Sequence, residues 1–311
     1  MEALAADVLR RCAGGEISSA VALVRLLIAY GDLDRVRAAL ASLAQLDGEA
    51  DLHGAIERMR NLVAGHPVGS ALVEDMLRQE RALARPLGAA GEVERCRRLF
   101  DRLVGANAEA SVALYSLGDP GLLDAATVEV TELLERLSVL GPERHLLEIG
   151  CGIGRFVQAL AGRIAAITGI DIAPGMIEAA KKRCAGLPNV TLQETSGRDL
   201  WAFPAAAFDT VLAIDSLPYV HRAGAALVSA HFAEVARVLR PGGDFVILNL
   251  SYRGDLELDR QDVRRLGETV GLRVLLNGTS DLRLWDGTTF HLRKPQEGRS
   301  GNQPARSSMR P

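Results

Sequence analysis

The hydrophobic rhythm of the chain changes once. Up to about residue 110, apolar positions recur every three or four residues, the spacing of one helix face. In SSAVALVRLLIAY, Val21, Val24, Leu27 and Ile28 share a face, and Ser18 or Ser19 is placed to cap it. Gly31 punctuates, and DLDRVRAALASLAQL then sets Leu33, Val36, Leu40 and Leu43 on one side. DLHGAIERMRNLVAG and GEVERCRRLFDRLVG repeat the pattern, so residues 1–110 are predicted to form an all-α region. GDLDRVRAAL and GEVERCRRLF share the order Gly, acid, apolar, acid, Arg. A duplicated helical hairpin would give that, and so would amphipathic patterning alone.

YSLGDP (115–120) reads as a loop before a helix, AATVEVTELLERLSVL, that stops at Gly141-Pro142. Short apolar runs follow: HLLEIG, AAITGID, VTLQE, FDTVLAI and DFVILNL. Helical stretches alternate with them: RFVQALAGR, GMIEAAKKRC and AALVSAHFAEVARVLR. That alternation predicts an α/β, doubly wound, mostly parallel sheet covered on both faces. GLRVLLNG and GTTFHLRK, with a turn between them, add an antiparallel C-terminal hairpin and bring the sheet to seven strands. The predicted organisation is a helical domain over 1–110, an α/β domain over 111–294 and a disordered tail over 295–311, which is rich in Pro, Gly, Ser and Arg.

Composition narrows the class. Thirty-six Lys and Arg against thirty-nine Asp and Glu leave a formal charge of -3, with no global attraction to nucleic acid or an anionic membrane. Cys12, Cys96, Cys151 and Cys184 lie far apart without a CxxC pair, which points to a reduced, intracellular setting and no cysteine zinc site; no metal is expected. MEALAADVLRR lacks the pattern of a secretory leader, and the apolar stretch Ala20–Tyr30 is short and broken by Arg25. The expectation is a soluble cytoplasmic protein.

The candidate chemistry lies in LEIGCGIGRF, residues 147–156, where Gly150, Gly152 and Gly154 follow a predicted strand and precede a predicted helix. Ligands of α/β sheets bind at such strand-to-helix turns. The dinucleotide fingerprint needs a third glycine where Arg155 stands, and no Gly-Lys-Ser/Thr follows to make a phosphate loop. The pattern present, E-x-G-x-G-x-G, resembles motif I of the class I, Rossmann-like S-adenosylmethionine-dependent methyltransferases. The resemblance runs from 146 to about 250: Asp171 in GIDIAPGMI, FDTVLAIDSL as a fourth strand, and EVARVLRPGGDFVILNL as helix, Arg-Pro-Gly-Gly turn and fifth strand.

The resemblance implies S-adenosyl-L-methionine as cofactor. Gly150, Cys151, Gly152 and Gly154 would cradle its methionine part, with Cys151 a small loop filler. Glu148 would order the loop or reach the amino end, and Asp171 would accept both ribose hydroxyls, as a carboxylate does from a vicinal diol. Ile172 and Met176 would line the adenine, with Gly197, Arg198 and Asp199 as candidates for meeting its amino group. Asp215 and Ser216 would complete the cofactor site.

The segment IDSLPYVHRAG stands where the methyl acceptor normally lies. Tyr219 is a candidate for contacting substrate or for packing under the cofactor. His221 is a candidate general base, or a surface or capping histidine. Tyr115 resembles the lid aromatics of small-molecule methyltransferases. Arg155 is expected to pair with a nearby carboxylate, and His231 and His291 to be structural. The small net charge and the extra helices favour a small-molecule acceptor methylated at O or N, with the helices as a cap or a homodimer surface. Ser216-Leu217-Pro218-Tyr219 also resembles the N/D/S-P-P-Y motif of amino-group methyltransferases, with Leu217 where the first proline would stand. Methylation of protein or nucleic acid is therefore an alternative, as is a non-catalytic adaptor that binds the cofactor; no nucleic-acid partner is expected.

Overall fold

The computed structural model describes residues 2–44, 50–82 and 87–296. The helical region comprises α1 (Glu2–Ala13), α2 (Ser19–Tyr30), α3 (Leu33–Leu43), α4 (Ala50–Gly65), α5 (Pro67–Ala82), α6 (Ala89–Ala106) and α7 (Ala108–Val112). Local chemistry sets several of these ends. The Ser18 side chain accepts from the Val21 N–H at the start of α2, and Gly31 closes that helix at φ 98°. Asp32 then caps α3 by accepting from the Arg35 N–H.

The α/β part begins with α8 (Pro120–Arg136) and continues through β1 (Gly141–Ile149), α9 (Arg155–Leu160), β2 (Ile164–Asp171), α10 (Pro174–Arg183), β3 (Val190–Glu194) and β4 (Phe208–Ile214). It ends with α11 (Leu217–Ala223), α12 (Ala225–Val238), β5 (Leu239–Leu248), α13 (Leu256–Thr269), β6 (Arg273–Ser280) and β7 (Thr288–Arg293). The seven strands run in the order β3-β2-β1-β4-β5-β7-β6. The first five are parallel, and β7 runs antiparallel to both β5 and β6. The doubly wound sheet with its antiparallel hairpin is therefore present as predicted. The chain steps outward from β1 to β2 and β3 on one side, then returns to β4 on the other side of β1, and this reversal opens a crevice at the carboxyl ends of β1 and β4.

Two helices were not predicted. In α13 the apolar residues Leu256, Val263 and Leu266 are spaced at seven and three among charged ones, so the mean polarity hid an amphipathic face capped by Asp255. The short α11 begins at the Leu217-Pro218 dipeptide inside the segment read only as an acceptor loop. The tail expected to be disordered lies, from 297 onward, outside the described residues.

Each sheet face has its own core. One holds Phe232, Phe245, Phe290 and Val263 beneath α12 and α13. The other is continuous from the first helices into the sheet: Leu23, Ile56, Tyr115, Val157 and Val246 belong to one buried cluster. The β6–β7 loop fastens the helices in place. Arg25 pairs with Asp286 at 2.7 Å, and the Glu129 carboxylate accepts from the N–H groups of Arg283 and Leu284 at 2.8 Å each. Arg283 also donates through Nε to the Gly15 carbonyl at 3.0 Å.

Asp244, fully buried on β5, accepts from Arg144 at 2.9 Å and from Arg293 at 2.7 Å, and lies 2.8 Å from His291 Nε2. Burial opposes its ionisation, but the bonds from His291, Arg144 and Arg293 outweigh that and hold its pKa below the usual value of 3.8. A depressed acid stabilises above its unfolded pKa and loses that contribution as pH falls through the folded value. Asp244→Ala should therefore cost about 3 to 5 kcal/mol at neutral pH, the scale of breaking a buried ion pair. The deficit should shrink below about pH 4 in urea unfolding curves, as the wild-type carboxyl is protonated.

Candidate functional site

At the crevice the chain turns sharply after β1. The N–H groups of Gly150 and Cys151 both donate to the Ile170 carbonyl, at 2.8 and 2.9 Å, which ties the loop to β2. Gly150, Gly152 and Gly154 sit at φ 73°, 53° and 75°, a region costly for any residue with a Cβ. Their reasons differ. A Cβ on Gly150 would lie 2.4 Å from the Ser216 Cβ, so this glycine lets the segment after β4 close on the loop. A Cβ on Gly154 would meet the Ala180 Cβ at 2.9 Å and the Cys184 Sγ at 3.2 Å. Gly154 does not line the cavity, which corrects its expected cofactor contact: it lets α9 pack against α10.

The turn opens into a cavity of about 1020 Å³. Asp171, at the end of β2, accepts from Gly152 N–H at 3.0 Å and Ala173 N–H at 2.9 Å, one through each oxygen. Burial raises its pKa to about 6 against the pull of those N–H groups. Glu148, at 1% exposure, keeps one oxygen without a hydrogen-bond partner, and burial raises its pKa to about 8 with nearby Arg155 opposing. Cys151 faces the same space with its thiol pushed up by burial, as befits an inert filler rather than a nucleophile. Ile172, Met176, Gly197 and Asp199 line the neighbouring end. Arg198 is exposed and outside the cavity wall, because the bend at Gly197 (φ 69°) turns it to solvent; its expected role at the cofactor is corrected.

Across the crevice, Asp215 and Asn249 end β4 and β5 at φ 57° and 66°, a strained pair for non-glycine residues. Asn249 Nδ2 donates to Asp215 Oδ1 at 2.9 Å, while the Asn249 side-chain oxygen accepts from Thr288 N–H at 2.9 Å. Burial raises the Asp215 pKa, with Asn249 and Tyr252 donating against it. About half of Tyr252 is solvent-exposed, at 51%, while its hydroxyl turns inward to Asp215 and Tyr219. The Tyr219 ring meets Tyr252 edge-on at 5.8 Å and Phe100 of α6 at 5.0 Å. Ser216, with a buried hydroxyl lacking a partner, and His221 also line this side.

Tyr115 lines the cavity as a fixed wall rather than a hinged lid. It is 7% exposed and stacks on Trp285 with centroids 6.2 Å apart. Its hydroxyl accepts from Arg155, and among the described residues Arg155 forms no carboxylate pair; the expected partner was the wrong chemical type. His291 belongs to the Asp244 network, and His231 bonds the Leu227 carbonyl within α12 at 2.9 Å while reaching the cavity wall. The sequence reading missed Asn249, Tyr252, Phe100 and Trp285, together with the apolar wall of Met76 and Leu77 from α5 and Leu99 from α6. No clustered group of metal-ligating side chains occurs among the described residues.

The residues present fit an adenosyl amino acid. Two buried acids flank the glycine loop, Glu148 just before it with a free oxygen and Asp171 bonded to its middle at Gly152, and small residues keep the backbone open there. Comparison with known proteins agrees. Residues 147–247 match the family model described as a methyltransferase domain. Demethylmenaquinone methyltransferase from Tropheryma whipplei is 33% identical over 156 residues, 50% of this chain and 59% of that one. 27-O-demethylrifamycin SV methyltransferase from Amycolatopsis mediterranei is 30% identical, covering 58% of this chain and 65% of the other. The chain thus spans about three fifths of the length of the first curated relatives it matches. The magnesium protoporphyrin IX methyltransferase of Synechocystis, solved with bound S-adenosylmethionine, shares the fold at TM-score 0.50 and 16% identity, over 65% of this chain and 97% of that one. The α/β part of the chain has the Rossmann-like fold of the class I methyltransferases, and within it residues 147–247 are similar to a methyltransferase domain.

Glu148 carries a cost that pH exposes. The folded protein holds its proton to about pH 8, whereas the unfolded chain releases it near the ordinary 4.5. A raised acid contributes fully below the unfolded pKa and loses that contribution as pH rises through the folded one. Ligand-free Glu148→Gln protein should therefore gain in melting temperature over wild type as pH rises from about 4.5 to 8. A constant offset across that range would show that the carboxyl is not held neutral.

Proposed function

We propose that this chain is an S-adenosylmethionine-dependent methyltransferase acting at an oxygen or nitrogen of a small, largely apolar molecule, in the cytoplasm. The observation that carries the reading is one continuous cavity. It runs from Asp171 and Glu148 past the glycine loop to a wall of Met76, Leu77, Leu99 and Phe100 supplied by the helical region. S-adenosylmethionine supplies an activated methyl group. Transfer is an in-line displacement, so the protein's work is placement and exclusion of water. Asp171 would hold the ribose hydroxyls and Glu148 the amino end. Tyr219 and His221, beside the Asp215–Asn249 pair, would face the acceptor.

The names of the relatives support a small-molecule acceptor, since they are methyltransferases of demethylmenaquinone and of 27-O-demethylrifamycin SV. No helix among the described residues is long and apolar enough to cross a membrane. The helical region then acts as the cover of the acceptor space.

Calorimetry should show S-adenosylmethionine and S-adenosylhomocysteine binding to wild type, and Asp171→Ala should weaken both by about 2 to 5 kcal/mol, the worth of two charge-assisted bonds. Incubation with methyl-labelled cofactor and a metabolite extract should move label into small organic-soluble products. Label on protein would favour the amino-group alternative, and tight binding without any transfer would favour the adaptor.

A further inference from the structure

Three carboxyls stand at strand ends around the cavity, and they differ in what still reaches them. Glu148 on β1 and Asp171 on β2 are buried at 1% and 8% exposure. Asp215, directly after β4, is half-buried and keeps part of its surface on the cavity. In the order β3-β2-β1-β4-β5, Asp171 and Asp215 lie on opposite sides of β1 and its glycine loop. The chain at Ser216 touches that loop, since a Cβ on Gly150 would lie 2.4 Å from the Ser216 Cβ. On its other side Asp215 meets the Tyr252 hydroxyl, which reaches Tyr219, whose ring meets Phe100 of α6 edge-on at 5.0 Å. Asp215 therefore stands between the loop and the apolar wall that α6 supplies.

Its neighbours orient the carboxylate and leave it an acceptor. Asn249 Nδ2 donates to Oδ1 at 2.9 Å, and the Tyr252 hydroxyl donates as well. A carboxylate has about four lone-pair sites, so two donors leave room for a third. Asp215 also holds a strained φ of 57°, of the kind that persists where the surroundings over-determine a functional residue. Burial and the charge of Asp286 raise its pKa, while the bonds from Asn249 and Tyr252 and the charge of Arg155 lower it; the net direction is upward. A base is best matched to its task when its pKa approaches the working pH. His221 lines the same side of the cavity, but from the last turn of α11. A group arriving at Asp215 must bring a proton to donate. A neutral amine attacks through its lone pair before it loses a proton, whereas a hydroxyl needs a base during the transfer.

We propose that Asp215 is the general base for a hydroxyl acceptor, with Asn249 and Tyr252 as the positioning residues that orient it. The inference rests on the methyltransferase reading above and narrows its acceptor from oxygen or nitrogen to a hydroxyl oxygen. Asp215 takes the hydroxyl proton while the oxygen lone pair forms the bond to the methyl carbon, and the carbon–sulfur bond breaks with its electron pair left on sulfur. A carboxylate, a hydroxyl and a sulfonium become a carboxylic acid, a methyl ether and a neutral thioether. The acid returns its proton to water once the product leaves.

The test uses the full chain, S-adenosylhomocysteine and 4-nitrophenol, whose absorbance reports its own ionisation. With S-adenosylhomocysteine bound, wild type should hold the phenol un-ionised to a pH about one unit or more above that for Asp215→Asn, the effect of an adjacent like charge. Asparagine can still accept from Asn249 and tolerates a positive φ, so the variant keeps the turn. Transfer from methyl-labelled cofactor into a metabolite extract should fall about 100-fold or more in Asp215→Asn, with S-adenosylhomocysteine affinity unchanged. In wild type that transfer should climb with pH as Asp215 loses its proton. Tyr252→Phe removes a donor that lowers the Asp215 pKa, so it should move the climb to higher pH. The proposal is overturned by equal ionisation of the bound phenol in wild type and Asp215→Asn, by failure of wild type to bind the phenol, by full transfer in Asp215→Asn, or by an unshifted profile in Tyr252→Phe. Failure of wild type to bind S-adenosylhomocysteine, or to transfer any label, would instead sink the reading on which the proposal rests.

Discussion

The carboxyl edge of the sheet holds charge out of water, and much of the structure follows from that constraint. Asp171, Glu148 and Asp215 are carboxyls drawn into one cavity, and burial pushes each of them upward in pKa. Their surroundings differ in kind. Asp171 is offset by two backbone N–H groups, Asp215 by an amide and a phenol, and Glu148 by little beyond the field of Arg155. An uncompensated buried group destabilises the free protein. Such a site is tolerable where a cationic ligand completes it, and a sulfonium with an ammonium is one. On the reading proposed above, the same groups that weaken the ligand-free fold would supply its affinity.

The backbone is strained at the same edge. Gly150 and Gly152 turn with positive φ after β1, and Asp215 and Asn249 do so after β4 and β5. Each is over-determined. The glycine loop is fixed by the Ile170 carbonyl and Asp171, and the Asp215–Asn249 pair is locked by Thr288 on β7. The antiparallel hairpin therefore does more than extend the sheet. It carries the partner that holds the strained Asn249, and its connecting loop carries Trp285 and Asp286 to the helices.

How far the sequence reached depends on the range of the interaction. The parallel strands were readable because burial on both faces leaves uninterrupted apolar runs such as FDTVLAI, and the glycine loop because its spacing is local. Asp171 was readable because a single βαβ unit fixes its distance from the loop. Arg198 was misplaced because one bend at Gly197 decides which of three consecutive side chains faces inward. Gly154 was misread because its constraint comes from Ala180 on α10 and Cys184 just past its end, 26 and 30 residues later. The apolar wall of the cavity left no local trace at all. Phe100 and Tyr219 meet across 119 positions, and Tyr115 and Trp285 across 170, through packing that no short pattern encodes.

That long-range assembly is what ties the helical region to the cavity. Its helices share one apolar core with a face of the sheet, so they cannot be lifted away without exposing Leu23, Tyr115 and Val246 together. A cover held so firmly does not act as a freely swinging lid. Access to the cavity must instead run past the exposed rim, where Ile28 of α2 and Tyr252 both line the space at about half exposure, 52% and 51%. On the reading proposed above, an acceptor's apolar body would lie under α6 and its reactive polar atom against Asp215 and Tyr219.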